Sequence, residues 1–549
     1  MKKYFWLILI LIIGTILRFY HNLDISLWHD EAFSSLLIKY PWSEMMYRIG
    51  LDVHPPMYYI FLRIWHYIFG DSLLSLRGFT VFFSVGTIWA AWAFVKEAFT
   101  LSTVSAGVQG GEQSRTTSSG RANERAAFWA AILVALNPFQ IQYATEARMY
   151  TMGAFFALLA AYFLVKALRQ QRQLHQDVAL NMPNLPQDIH LKRKVFWNYL
   201  GFTLSMIVII YTHYYLFFTA AAIGFYGLLY LFFHHRWNLR KYIPLLASYI
   251  LILISFLPWL KIFLYQYKQV GAGYWIPPMD RWSVPSTLWT LLIGTWHDVN
   301  NPMTQKLLIV FLIFVIYFLY RFLKKTQGFE KWLVILAIIA PFAGSFLFYM
   351  LARLKGSGTS VYLVRYFLYT SAFLSIALTL WLKEIKWKWL SVSLFTICIL
   401  VNLFAFYNYW HELDIKTKPG MAGAAKYLQT NVEPGHKLYV GSSFMFFNLK
   451  YYVKQEKIAN RPLLFSGGNL DVKNLPHFAG TAILTNDDLL PDFNQEVKTG
   501  DTVWLVWTNG FGSNKPQIPK NWAQIEEKAY AEVRPWVGTY VYVTEYKVN

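Results

Sequence analysis

"MKKYFWLILILIIGTILRFYHNLDISLWHDEAFSSLL" (Met1–Leu37) sets a long apolar run directly against Asp24, Asp30 and Glu31. The run has the basic start and apolar centre of a signal peptide. "GTILRFYHNL" offers no small-x-small cleavage site, so it is read as an uncleaved first membrane helix. The rest of the chain repeats the theme: over 549 residues, 56% are hydrophobic, 19% aromatic and only 15% charged, too apolar for an ordinary soluble protein. Crossing about 30 Å of hydrocarbon takes roughly twenty apolar residues in a helix. Such windows recur near 4–22, 73–99, 126–142, 151–168, 195–212, 214–233, 242–263, 304–323, 332–351, 365–382 and 389–409. A polytopic α-helical membrane protein of about eleven spans is expected.

Basic residues cluster in every second connection: Lys2 and Lys3; Arg115, Arg121 and Arg125; Arg169, Arg172 and Lys192 to Lys194; Arg236, Arg240 and Lys241; Lys324, Lys325 and Lys331; Lys383, Lys386 and Lys388. These connections are expected in the cytoplasm, which places the N-terminus inside and the "DISLWHDEAF" loop outside. The net charge of +20 is then a topology signal and an attraction to anionic membrane lipids. It has none of the base-stacking aromatics of a nucleic-acid stripe, so no nucleic-acid partner is expected. The Gly-, Ser- and Thr-rich segment 102–125 and the segment 169–194 are read as cytoplasmic loops, the first a flexible linker.

The texture changes after Tyr409. The expected division is 1–410, the transmembrane part, and 411–549, a soluble α/β domain on the outer face. "MAGAAKYLQT" reads as a helix, and "KLYVG", "TAIL", "TVWLVW", "AEVRPWVG" and "YVYVTEY" read as strands. The lone Cys398 lies in an apolar helix, which excludes an internal disulfide and multi-cysteine metal sites.

Four outward clusters carry the chemistry. Asp30 and Glu31 follow the first helix, and carboxylates against a membrane interface are costly unless something uses them. Neighbours on a helix point about 100° apart, so the two are expected to do different work. Asp30 could equally cap the start of "EAFSSLLI". In "HPPMYY" (His54 to Tyr59) two prolines fix the backbone around His54 and Tyr58, or simply separate two short helices. "NPFQIQYATEARMY" (Asn137 to Tyr150) places Glu146, Arg148 and Tyr150 at the outer boundary, facing a polar cavity or pairing with one another. Arg365, in "VYLVRYFLYT", stands at the mouth of a late helix, where snorkelling would also account for it.

Taken together, the "DE" of "WHDEAF", the "HPP", the "EARMY" and the "RY" resemble the polyprenyl-phosphate-dependent glycosyltransferases of the GT-C superfamily. By pattern the nearest are the protein O-mannosyltransferases of glycosyltransferase family 39 and the bacterial enzymes that attach aminoarabinose to lipid A. The resemblance spans the chain to about residue 410. It implies a GT-C fold and transfer of a sugar, with inversion, from a polyprenyl-phosphate donor to a lipid, glycan or protein hydroxyl at the outer face. It also implies that Asp30 is the catalytic base and Glu31 its acceptor-orienting neighbour.

Residue chemistry agrees that one carboxylate suffices, since a hydroxyl nucleophile must lose a proton while a polyprenyl phosphate leaves as a stable anion. That anion wants fixed cations, for which Arg148, Arg365 and Arg77 are the candidates. His54, Glu146, Tyr150, Tyr58 and Lys355 are the expected substrate contacts. No cofactor is required, no metal ligands are assigned, and the pattern leaves a divalent ion open. There is no "WWDYG"-like segment and no Asp-x-Asp in the first loop, unlike the asparagine-linked oligosaccharyltransferases. A flippase for a lipid-linked sugar and a non-catalytic glycan-binding membrane protein are the alternatives, although no inverted repeat supports transport. The segments 267–282 and 351–362, with glycines, aromatics and basic residues, are candidate lids.

Overall fold

A computed structural model describes residues 2–100, 113–179, 185–236, 238–271, 276–295, 298–356, 360–533 and 538–549. Its helices are α1 (Lys2–Phe19), α2 (His29–Leu37), α3 (Trp42–Leu51), α4 (Met57–Phe69), α5 (Leu73–Thr100), α6 (Gln113–Leu136), α7 (Pro138–Ala144), α8 (Tyr150–Ala179) and α9 (Leu185–Ile210). There follow α10 (Leu216–His235), α11 (Ile243–Gly271), α12 (Ser283–Ile293), α13 (Pro302–Lys325), α14 (Lys331–Leu354), α15 (Leu368–Lys383), α16 (Lys388–Leu413) and α17 (Gly420–Asn431). The C-terminal part then alternates as β1 (Lys437–Val440), α18 (Ser443–Gln455), β2 (Pro462–Phe465), β3 (Leu489–Leu490), β4 (Thr502–Thr508), β5 (Trp522–Ala531) and β6 (Tyr540–Val548).

Among the described residues, eight helical segments are long and apolar enough to cross a membrane, and Tyr4–Phe19 and Ser283–Ile293 are apolar but shorter. The protein is a multi-pass membrane protein. The expected span 126–142 is broken, and the break has a definite cause. Pro138 has no N–H to give the carbonyl of Val134 one turn back, so α6 ends and Asn137 caps α7 by accepting from the Gln140 N–H at 2.9 Å. The freed carbonyls are met by the wholly buried Arg18 of α1, which donates to Val134 O at 3.1 Å and Ala135 O at 2.9 Å. Segments read as loops are partly helical: α6 starts at Gln113, while α8 runs to Ala179 and α9 starts at Leu185. The linker residues 101–112, and 272–275 and 357–359 in the two candidate lids, lie outside the described residues.

The chain forms two compact units. The first comprises Met1–Arg18, Thr80–Thr145 and Met149–Tyr409. Within it α15, almost entirely buried, packs against α6, α8, α13 and α14. The second joins Phe19–Phe79 and the tripeptide Glu146–Arg148 to Trp410–Asn549. Position along the chain thus differs from membership of a compact unit: the first-loop helices group with the C-terminal residues. The reason is packing. His29 of α2 lies against Phe444 and Phe447 of α18 (centroids 5.0 and 5.4 Å), and the Leu27 N–H donates to Tyr452 Oη at 2.9 Å.

The second unit carries one six-stranded sheet of order β3-β2-β1-β4-β6-β5. Its first four strands in that order run parallel, and β6 is antiparallel to both its neighbours, β4 and β5. The expected strand "TAIL" (481–484) is not a strand and begins in a turn, and β2, β3 and β5 were not foreseen. Residues 534–537 of "AEVRPWVG" lie outside the described residues.

Candidate functional site

In the second unit, α2 presents its two carboxylates about 100° apart, as the helical angle requires. Trp28 is the N-cap, so Asp30 sits inside the first turn and is not the cap. Negative charge there is favoured by the helix dipole.

Glu31 points inward and is fully buried against an equally buried Arg77. Arg77 donates through Nε to Oε1 (2.9 Å) and through Nη2 to Oε2 (2.7 Å), a bidentate pair. Its other donations go to the carbonyls of Asn22, Ile25 and Ser26. Glu31 Oε1 also accepts the Ala147 N–H at 2.8 Å, and Oε2 accepts the Trp28 N–H at 3.4 Å. With no exposed surface and both oxygens engaged, this pair offers nothing to a substrate. The acceptor-orienting role expected of Glu31 and the phosphate role expected of Arg77 do not fit such burial. Glu31 instead pins the turn that carries Arg148.

Asp30 points the other way, with its side chain 22% exposed. One carboxylate oxygen lies 3.8 Å from Arg148 Nε, and Arg148 Nη1 donates to the Asp30 carbonyl (3.3 Å) and to Ser34 Oγ (3.2 Å). Ser34, one turn on, donates in its turn to the Asp30 carbonyl at 2.9 Å. The turn is tight, with Arg148 N–H donating to Glu146 O at 2.7 Å, and Glu146 is buried.

His54 completes the cluster. Its Nδ1 lies 2.9 Å from Asp52 Oδ2, and its Nε2 lies 3.4 Å from Arg148 Nη2. Arg148 can only donate, so Nε2 is the acceptor and the proton sits on Nδ1, shared with Asp52. Burial would raise the Asp52 carboxyl, but His54 and Arg148 outweigh it and hold it below the ordinary carboxylate range. Burial keeps His29 below the usual histidine value. The same holds for His477, which lies within the fields of Asp52 and His54. Pro55 and Pro56 do separate α3 from α4, and in doing so they fix His54. Tyr58 has no exposed surface and packs edge-on against Tyr59 and Phe79, which suits support of that turn and not contact with substrate.

Asp52, Ser34 and His477 were missed in the sequence. Asp52 was legible as the acid two residues before His54, and Ser34 as one turn beyond Asp30. His477 had no local signal.

In the first unit, the Arg365 guanidinium lies 5.7 Å from the ring centroid of Tyr150 and 6.0 Å from that of Tyr366. His213 adds a third ring, 4.6 Å from Tyr366 and 6.0 Å from Tyr150. Lys355 is exposed at the end of α14. Among the described residues no group of three His, Cys, Asp or Glu side chains is arranged to hold a metal.

By sequence, no known protein family and no characterised protein matches the chain. By structure, it is similar to ArnT from Cupriavidus metallidurans bound to undecaprenyl phosphate: TM-score 0.53 at 13% identity, covering 98% of each chain. It is similar also to ArnT from the same organism in the apo state, with TM-score 0.55 at 12% identity, covering 99% of this chain and 98% of that one. The chain therefore has the GT-C fold of a polytopic membrane protein with a C-terminal sheet, and it matches ArnT along its whole length.

Proposed function

We propose that the protein is a membrane glycosyltransferase that moves a sugar from a polyprenyl-phosphate donor to a hydroxyl of a lipid, glycan or protein acceptor at the outer face of the membrane, inverting the anomeric carbon. The observation that carries the proposal is Asp30: a half-buried carboxylate beside a buried arginine, on the fold of a protein seen bound to undecaprenyl phosphate.

Asp30 takes the acceptor proton as the hydroxyl attacks the anomeric carbon, and the polyprenyl phosphate departs with the electrons of the broken C–O bond. Arg148 orients Asp30, while Asp52 and His54 hold Arg148 in place. Arg365, cradled by Tyr150 and Tyr366, is the cation for the donor phosphate, and Lys355 stays a candidate for the same charge. The unit holding Trp410–Asn549 is outside the cell membrane and the N-terminus is cytoplasmic.

Purified protein incubated with defined polyprenyl-phosphate sugars should release polyprenyl phosphate in the presence of an acceptor. Asp30→Asn should lower turnover by about 10² or more with the fold retained. Normal turnover in that variant would remove Asp30 from the chemistry.

A further inference from the structure

Within the first unit, α1 and α6 are pinned together at their C-terminal ends. There Arg18 donates to the carbonyls of Val134 and Ala135, and a Cβ at Gly14 would stand 3.5 Å from that of Ala135. Toward their other ends a groove of about 610 Å³ opens between the two helices. From α1 it is lined by Trp6, Leu9, Ile10 and Ile13, which fall on one helical face. From α6 it is lined by Phe128, Trp129, Ile132 and Leu136, with Glu124 and Arg125 at its mouth. The groove is surface and not core, since Trp6 is 58% and Ile13 42% exposed. In a multi-pass membrane protein an apolar surface of this kind faces lipid.

Its dimensions say what fills it. Ala126 to Leu136 is an unbroken apolar stretch between Arg125 and the break at Asn137, and at about 1.5 Å per residue it is roughly 16 Å long. Half of a hydrocarbon core about 30 Å thick is nearly the same, so the groove reaches through one leaflet. Spread over that length, its volume gives a cross-section of about 40 Å², well under the roughly 80 Å² of a helix about 10 Å across. A partner helix does not fit. The bulky lining also lacks the small residues that let helices approach one another in a membrane. A single flexible acyl chain does fit.

The mouth says which head such a chain carries. Arg125 is exposed where the apolar stretch begins, at the level of a lipid phosphate, and a guanidinium is suited to phosphate oxygens. Glu124 stands beside it and keeps the mouth near neutral, which favours a headgroup that brings an ammonium along with its phosphate.

We propose that the groove between α1 and α6 is a phospholipid site: one acyl chain lies along it, and a zwitterionic headgroup of the phosphatidylethanolamine kind sets its phosphate on Arg125 and its ammonium on Glu124. The site is independent of the transferase reading. The test titrates the full-length protein, delipidated in detergent, with phosphatidylethanolamine, with phosphatidylglycerol and with diacylglycerol of the same chains, and native mass spectrometry reads the lipid retained. One phosphatidylethanolamine should stay bound, phosphatidylglycerol should bind more weakly, and diacylglycerol about tenfold more weakly or worse. Arg125→Ala should weaken phosphatidylethanolamine by about tenfold or more, the loss of a charge-assisted contact. Ile13→Trp, which fills the groove, should abolish retention, while Ile12→Trp, on another face of α1 and 51% exposed, should leave it intact. Equal retention of phosphatidylethanolamine and diacylglycerol, or retention that survives Ile13→Trp, overturns the proposal. Displacement by equimolar undecaprenyl phosphate would give the groove to that lipid and overturn it as well. None of these readouts is turnover, so the transferase reading stands or falls separately.

Discussion

Replacing Glu31 by glutamine removes the negative half of an ion pair with no exposed surface on either side chain. Taking away one partner of a buried pair typically costs about 3–5 kcal/mol, because the remaining charge stays desolvated and unpaired. The carbonyls of Asn22, Ile25 and Ser26 still share the Arg77 cation, so the lower end, about 3 kcal/mol, is expected. In a folding unit of about 200 residues this lowers the apparent Tm by roughly 6–12 °C. Glutamine also puts an amide NH2 where Oε2 accepted from Arg77 Nη2 and the Trp28 N–H, donor facing donor, so the start of α2, which carries Asp30, loosens and turnover falls with stability.

Scanning fluorimetry in nanodiscs, alongside the polyprenyl-phosphate release assay, reads both effects. Glu31→Gln combined with Arg77→Met removes both charges and should recover most of the lost Tm. An unchanged Tm in Glu31→Gln with only the acceptor KM raised would refute the reasoning and return Glu31 to the substrate.

Asp52→Asn breaks the hydrogen bond that fixes the His54 tautomer. Turnover should drop while KM for the donor holds, and His54→Asn should add little in the double variant, as kinetic cycles would show. Because the Asp52 carboxyl is depressed in the folded state, it contributes stability at neutral pH that is lost as pH falls below about 4; Tm measured against pH should show that acid loss blunted in Asp52→Asn. Glu532 presents the opposite sign. Burial raises it to about 8, it accepts the Met421 N–H at 3.0 Å, and a side chain at Gly420 (φ +52°) would meet its carboxyl. The folded state therefore holds a proton that the unfolded chain has lost, and stability falls as pH rises from about 4.3 to 8. Glu532→Gln should flatten that slope in a Tm titration. Arg365→Ala should weaken binding of free polyprenyl phosphate, and Arg365→Lys should restore it only in part, because an ammonium lacks the planar fork; equal titration curves for all three proteins would exclude the phosphate role.

Composition and hydropathy alone determine that this chain crosses a membrane many times and ends in an α/β region, since a bilayer and a sheet each impose a length and a period that residues display locally. The DE, HPP, EARMY and RY motifs were legible for a related reason: carboxylates, arginines and Pro-Pro stand out against apolar sequence. Their division of labour was not legible. Asp30 and Glu31 are neighbours in the chain, yet a helical turn sends one toward Arg148 and the other into a fully buried pair with Arg77, and nothing in "HDEA" says which. The Ala147 N–H that binds Glu31 is 116 residues away, and that anonymous backbone group fixes the spacing of the two motifs. Asp52 and His477 become neighbours only after packing, because a hydrogen bond or a field acts over a few ångströms of space and leaves no mark on the sequence between.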